Sequence, residues 1–217
     1  MNNKCPNCGL TNFSARQKCA RCGAELGLSA NTPVKKKRRG RFGLRATVCF
    51  AVCLALILTF YISLLASSGG LTIEQKHTVR RAIAVLKDKG FDDEVFLLEH
   101  LTAFRANDNW LNASVAKENA YAATNFPFEI MTLYPDFFTY PADDVERAAI
   151  LLHEARHLKG KDEKDAYEFV WKNRKQFGWT KEQYSNSPLW KNVRQQTRDH
   201  VPNLFVCETN HFNDCSE

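Results

Sequence analysis

Acidic side chains are almost missing from the first 45 residues, which hold eleven Lys and Arg against the single acid Glu25. Charge of either sign is missing from Ala46 to Ala66, and Lys and Arg are missing from Ser67 to Ile73. Cysteine is missing between Cys53 and Cys207. The formal net charge of +6 therefore divides unevenly, with +10 in residues 1–45 and −4 in the other 172. That split argues against a basic nucleic-acid-binding body, and a nucleic-acid partner is not expected. Apolar residues are plentiful at 44%, with fifteen Phe and four Trp, which excludes a wholly disordered chain. A chain of 217 residues has room for one ordinary domain and small accessories.

The uncharged run ATVCFAVCLALILTFYISLLA, residues 46–66, is the first feature to place. As a helix it would rise about 31 Å, close to the ~30 Å hydrocarbon layer of a bilayer. Thr47, Thr59 and Ser63 can return their hydroxyls to the helix backbone, and Ser67, Ser68, Gly69 and Gly70 end the run. A transmembrane helix is expected, with a buried core helix or a cleaved signal as the competing readings. Lys35, Lys36, Lys37, Arg38, Arg39, Arg41 and Arg45 crowd one flank only. The positive-inside bias then places residues 1–45 in the cytoplasm and residues 67–217 outside it, in the periplasm or extracellular space. The basic stretch, residues 29–45, is expected to be a linker that touches anionic lipid. Cys49 and Cys53 share one face of the helix and are read as small apolar fillers.

Residues 1–28 carry Cys5-x2-Cys8 and Cys19-x2-Cys22, two knuckles separated by ten residues. Each knuckle can offer two thiolates to one tetrahedral Zn²⁺. Gly9 and Gly23 follow the second cysteine of each pair, where the turn calls for positive φ. So few residues build little hydrophobic core, so metal would supply the folding energy. A disulfide pair is the alternative, disfavoured in a reducing cytoplasm. The segment resembles the zinc-ribbon family, which implies a structural Zn²⁺ and a docking role for a cytoplasmic protein partner.

Residues 70–217 are expected to fold as an α+β, mainly α, domain. Thr72 can cap a helix over Ile73 to Lys89 with Val79, Ile83 and Leu86 on one stripe, and Gly90 suits its stop. Asp92 can start a further helix through Val95, Leu98 and Leu101, whereas Phe104 to Asn125 is ambiguous. Phe128 to Tyr134 reads as a strand, with an edge position as one option, ended by Pro135. Asp143 or Asp144 can cap a helix running to about Lys159, closed by Gly160.

That last helix contains His153-Glu154-Ala155-Arg156-His157. Histidines at i and i+4 project from one face, so their imidazoles can share a metal. Glu154 lies beside them, able to reach a metal-held water without ligating. Random placement of six His and thirteen Glu would produce H-E-x-x-H in about one such chain in a hundred. Apolar Ala148, Leu151, Leu152 and Ala155 on the other side favour a deliberate site over two surface histidines. A catalytic zinc needs a third ligand and one open position. The acidic residues past the helix are Asp162, Glu163, Asp165 and Glu168. Glu163 is the first choice, because Gly160 can turn the chain back and Asp162 can cap a helix carrying Glu163 in its first turn. Glu168 is the second choice, and Tyr167 lies one turn beyond Glu163.

The HEARH core with Gly160 and Glu163 resembles the zincin metallopeptidases. The H-x-x-G-x-x-E ending is similar to the metzincin pattern with Glu in place of the usual third His or Asp, and MTLYPDFF before the helix also resembles aspzincins. Met131 lies upstream, so there is no metzincin Met-turn, and the aspzincin G-T-x-D motif is absent. The resemblance covers about thirty residues. It implies a second, catalytic Zn²⁺ on His153, His157 and Glu163, and hydrolysis of a peptide or protein substrate outside the cytoplasm. Glu154 would be general base, Tyr167 would hydrogen-bond the oxyanion, and the 128–134 strand would run beside extended substrate. The competing expectation is a non-catalytic membrane receptor or scaffold built on a degenerate zincin domain.

Cys207 and Cys215, outside the cytoplasm in this topology, are expected to form a disulfide, with two free thiols as the alternative. His77, His100, His200 and His211 have no partner at ligand spacing and are read as surface or core side chains. The aromatic series Tyr167, Phe169, Trp171, Phe177, Trp179, Tyr184 and Trp190 is expected in the core, with some members available to line a cleft.

Overall fold

A computed structural model describes residues 2–13, 15–27, 39–114 and 121–208 of the chain. The protein is α+β and mainly helical, and divides into two compact units, Met1–Cys53 and Leu54–Glu217.

The first unit opens with strands β1 (Asn2–Lys4) and β2 (Thr11–Phe13), paired antiparallel with Asn3 opposite Asn12. Among the described residues, Cys5, Cys19 and Leu26 are its buried apolar groups. Three such side chains are a small core, as the length foretold.

Helix α1 runs from Arg39 to Ala66, and 25 of its residues, Phe42–Ala66, are long and apolar enough to cross a membrane. Residues 39–45 are thus the first turns of this helix rather than the end of a linker. No proline interrupts them, so the helix propagates back into the basic flank. Val48, Phe50, Val52, Leu54, Leu56, Ile57, Leu58 and Ile62 are all exposed, which a core helix would not show. Thr47 Oγ1 donates to Gly43 O at 3.1 Å, Thr59 Oγ1 to Ala55 O at 2.8 Å and Ser63 Oγ to Phe60 O at 2.7 Å. Each hydroxyl is satisfied inside the helix, as an apolar surrounding requires.

Within the second unit, the end of α1 packs onto the domain. Leu64 is fully buried, and the Phe60 ring meets Trp110 at 5.4 Å and Phe128 at 5.1 Å. Helix α2 (Ile73–Asp88) follows with the expected capping box. Gln75 N donates to Thr72 Oγ1, and Thr72 N donates to Gln75 Oε1. Helix α3 (Asp92–Phe96) starts at Asp92 as expected, with Phe91 at the N-cap position, and passes into a π-helical turn at Leu97–Leu101.

Strands β3 (Ala103–Arg105), β4 (Ala122–Asn125) and β5 (Ile130–Leu133) form a sheet of order β3-β5-β4. β5 pairs parallel with β3 and antiparallel with β4, with Met131 opposite both Phe104 and Thr124. The strand expected at 128–134 is present but shorter than read, and of the positions open to it, it takes the central one. Its four side chains are buried on both faces, which suits an inner strand. β4 takes the edge.

Helix α4 (Pro135–Thr139) leads to α5 (Asp144–Leu158), α6 (Glu163–Asn173), the short α7 (Lys181–Tyr184) and α8 (Pro188–His200). Asp143 caps α5 by accepting from Val145 N and Glu146 N, each at 3.0 Å. α5 is the central helix. Ala148, Leu151, Leu152 and Ala155 are fully buried against α2, α6 and the sheet. Beyond it, Trp171, Phe177, Trp179 and Trp190 pack ring to ring, with Trp179 and Trp190 at 4.9 Å and Trp171 and Trp190 at 5.3 Å. That cluster holds α6 and α8 against α5.

Candidate functional site

The two cysteine knuckles fold alike. Gly9 N donates to Cys5 O and Gly23 N to Cys19 O, with φ of +72° and +69° at the glycines. Cys5 N donates to Leu10 O and Cys19 N to Ala24 O, closing each turn. The four sulfurs lie within 4.8 Å of one another, with Cys5–Cys22 and Cys8–Cys19 each at 3.6 Å. A tetrahedral ion with ~2.3 Å bonds to sulfur separates its sulfurs by about 3.8 Å, whereas a disulfide would bring two to about 2.05 Å. The cluster fits a metal. Buried Asn12 joins the knuckles, donating to Leu10 O and Cys19 Sγ and accepting from Ala20 N. Backbone N–H groups of Cys22 and Arg21, helped by the Asn12 amide, pull the Cys19 thiol down to about 6. A thiolate is thus available near neutral pH, the form in which cysteine ligates.

The second cluster is built by α5 and the start of α6. α5 presents His153 and His157 one turn apart. Gly160, at φ +69°, reverses the chain, and Asp162 caps α6 by accepting from Asp165 N at 2.9 Å. Glu163 therefore enters at the first turn of α6. Its carboxylate lies 3.2 Å from His153 Nε2 and 3.4 Å from His157 Nε2, and the two imidazole nitrogens are 3.1 Å apart. The contacts are to the two different carboxylate oxygens, Oε2 for His153 and Oε1 for His157, and one ligand atom from each residue lies within 4.8 Å of the others, so the three side chains could hold one ion. His157 Nδ1 lies 2.9 Å from Lys161 O; donating there leaves Nε2 its lone pair for a metal. Glu168, the second choice for third ligand, is bonded to Lys172 instead. Five residues past Glu163 it has rotated away from the histidine face.

The electrostatics agree with the geometry. Burial pulls His157 down, but the Glu163 hydrogen bond, the Glu154 charge and the Lys161 carbonyl together raise it to about 9. Hydrogen bonds from His153 and His157 hold the Glu163 carboxyl well below the usual carboxylate range. A protonated His157 thus pairs with an ionised Glu163.

Arg156, inside the motif, points away from the histidines and fastens three helices. Its Nε and Nη2 donate to Asp165 Oδ1 at 2.9 and 2.7 Å, and its Nη1 lies 3.6 Å from Glu94 on α3. Asp165 is two residues beyond Glu163, so this clamp fixes the turn that carries Glu163.

A cleft of about 340 Å³ opens beside the cluster. Its walls come from β4 (Ala122, with Tyr121 before it), α5 (Ala149, Ile150, His153, Glu154), α6 (Glu163, Tyr167, Val170) and α8 (Asn192, Val193, Gln196, His200). Glu154 is 6% exposed, does not join the ligand triad, and accepts from Thr124 Oγ1 of β4 at 2.6 Å. Tyr167 is in the expected place, its ring 4.4 Å from that of His153. Burial, then the charges of Glu163 and Glu154, raise its phenol, so the hydroxyl keeps its proton. His200, read from the sequence as a surface or core side chain, stacks on Tyr167 at 5.1 Å and lines the cleft. Its place on α8 is 43 residues from His157, and no local spacing could have revealed it. Edge strand β4 was likewise missed. Its residue Ala122 lines the cleft, whereas both sides of the central strand within 128–134 are occupied.

Cys215 lies outside the described residues, as does the side chain of Cys207, so the expected disulfide does too. Lys35, Lys36, Lys37 and Arg38 also lie outside them. Cys49 and Cys53 are exposed free thiols. No protein-family model, curated protein or solved structure matches this chain.

Proposed function

We propose that the chain is a membrane-tethered zinc metallopeptidase of zincin type, with an N-terminal zinc ribbon. The observation that carries this reading is the convergence of His153 Nε2, His157 Nε2 and the two oxygens of the Glu163 carboxylate, in contact at 3.1–3.4 Å, at one wall of a cleft that also holds Glu154. A zinc ion there would supply a Lewis acid and a water acidified toward a pKa of ~7. Glu154, held toward the cleft by Thr124, is placed to take the proton and later deliver it to the leaving amine. The Tyr167 hydroxyl donates to the developing oxyanion, and His200 is a second donor on the same wall. β4, the end strand of the sheet among the described residues, orders an extended peptide by antiparallel pairing beside Glu154.

The charge pattern supports a cytoplasmic ribbon and an extracytoplasmic catalytic domain, with α1 spanning the bilayer. The ribbon then offers a docking module for a cytoplasmic protein. Glu154→Gln tests the reading: it keeps zinc and loses peptide hydrolysis by a factor of at least ~10². Undiminished hydrolysis by that variant sinks the mechanism. A folded, zinc-loaded wild type that cleaves no peptide library favours the scaffold reading.

A further inference from the structure

A second cavity, of about 570 Å³, lies where the chain leaves α1. Gly70 and Leu71 line it, four and five residues beyond the last residue of α1, together with Lys76 and Arg80 of α2 and Arg105 of β3. Its floor is apolar, from Val79, Ile83, Leu98 and Phe104. Lys76 and Arg80 are one turn apart on α2, so they face the same way and repel. Neither they nor Arg105 has an acidic partner among the described residues. The one acid in the lining, Glu99, is engaged by Lys87 at 3.4 Å and approached by His100 at 4.0 Å. Arg105 Nε is sealed from solvent and has no hydrogen-bond partner among the described residues.

Three converging cations, one with a buried unsatisfied N–H, lack a counter-anion. A guanidinium fork matches the paired oxygens of a phosphate. The apolar floor suits a ligand whose phosphate continues into hydrocarbon. Four residues of chain reach at most about 14 Å, so the rim lies within reach of the headgroup layer if α1 spans the bilayer. We propose that this cavity holds the phosphate of an anionic phospholipid, gripped by Arg105, Arg80 and Lys76. The proposal rests on the membrane-spanning reading of α1 and is independent of the peptidase reading.

The test uses the full chain in neutral detergent micelles, with native mass spectrometry reading bound lipid. The probes are phosphatidylglycerol and phosphatidylcholine of equal acyl length. Wild type retains one phosphatidylglycerol and no phosphatidylcholine. Lys76→Gln/Arg80→Gln, at two exposed positions, binds it about thirtyfold more weakly. Arg105→Gln alone also weakens it, and Lys181→Gln/Lys191→Gln, which removes the same charge outside the cavity, leaves it unchanged. Equal retention of the two lipids, or unchanged retention in the Lys76/Arg80 variant, overturns the proposal. Displacement of the lipid by an equal concentration of inorganic phosphate assigns the cavity to soluble phosphate and overturns the lipid assignment. Alkaline carbonate extraction of membranes tests α1 separately: release of the chain defeats the spanning reading whatever the lipid result.

Discussion

Zinc affinity at the His153–His157–Glu163 cluster should depend on pH well above the range of an ordinary imidazole. The cause is the metal-free state. Glu163 and Glu154 hold the proton of His157 up to about 9 against the opposing effect of burial. Zinc needs that nitrogen unprotonated, so binding below pH 9 must expel a proton. Each unit of pH below that value costs a factor of about ten in apparent affinity, or ~1.4 kcal/mol. From pH 8.5 down to 7.0 the apparent dissociation constant should rise about thirtyfold. An imidazole with its ordinary value near 6.5 would give almost no change over the same interval. The same sign governs the stability of the metal-free protein. The contribution of His157 is fully present below its unfolded value of 6.5 and is lost as pH rises through about 9. The assay is competition with a chelator of known pH dependence, in a Cys5→Ser/Cys8→Ser background that silences the ribbon. Glu163→Gln should weaken zinc overall and flatten the dependence between pH 7.0 and 8.5. A flat wild-type profile over that range would refute the coupling of His157 to Glu163.

Other expectations follow from the supporting structure. Arg156→Ala removes the clamp on the first turn of α6 without touching a ligand. It should weaken zinc about tenfold while Glu163 remains intact, as measured by the same competition. Leu152→Ala empties a fully buried position of α5 and should destabilise the domain by about 2–5 kcal/mol in chemical denaturation. A loss under 1 kcal/mol would show that α5 is not the packing centre.

Local rules made much of this chain legible. Thr72, Asp143 and Asp162 cap helices as their side chains suggest, because an N-cap needs only the next three residues. The approach of Glu163 to the histidine pair was also readable, since Gly160 and Asp162 determine how Glu163 returns within six residues of His157. What escaped depends on distant partners. β4 is four residues of modest β propensity, and it becomes a strand only by pairing with Ile130–Leu133. The central position of β5 is visible only once β3 and β4 flank it. His200 reaches the cleft through the packing of α8 on α6, which the aromatic cluster arranges. The cations of the second cavity likewise come from two elements, α2 and β3.

The central claim is that the chain holds two metal ions in separate protein-made sites. Metal content of the purified full-length chain, measured under zinc-replete conditions followed by desalting, tests it most directly. The account predicts about two zinc ions per chain, one lost in His153→Ala and the other in Cys5→Ser/Cys8→Ser. A folded wild-type chain with a single zinc that survives His153→Ala would contradict it and leave His153 and His157 without a metal.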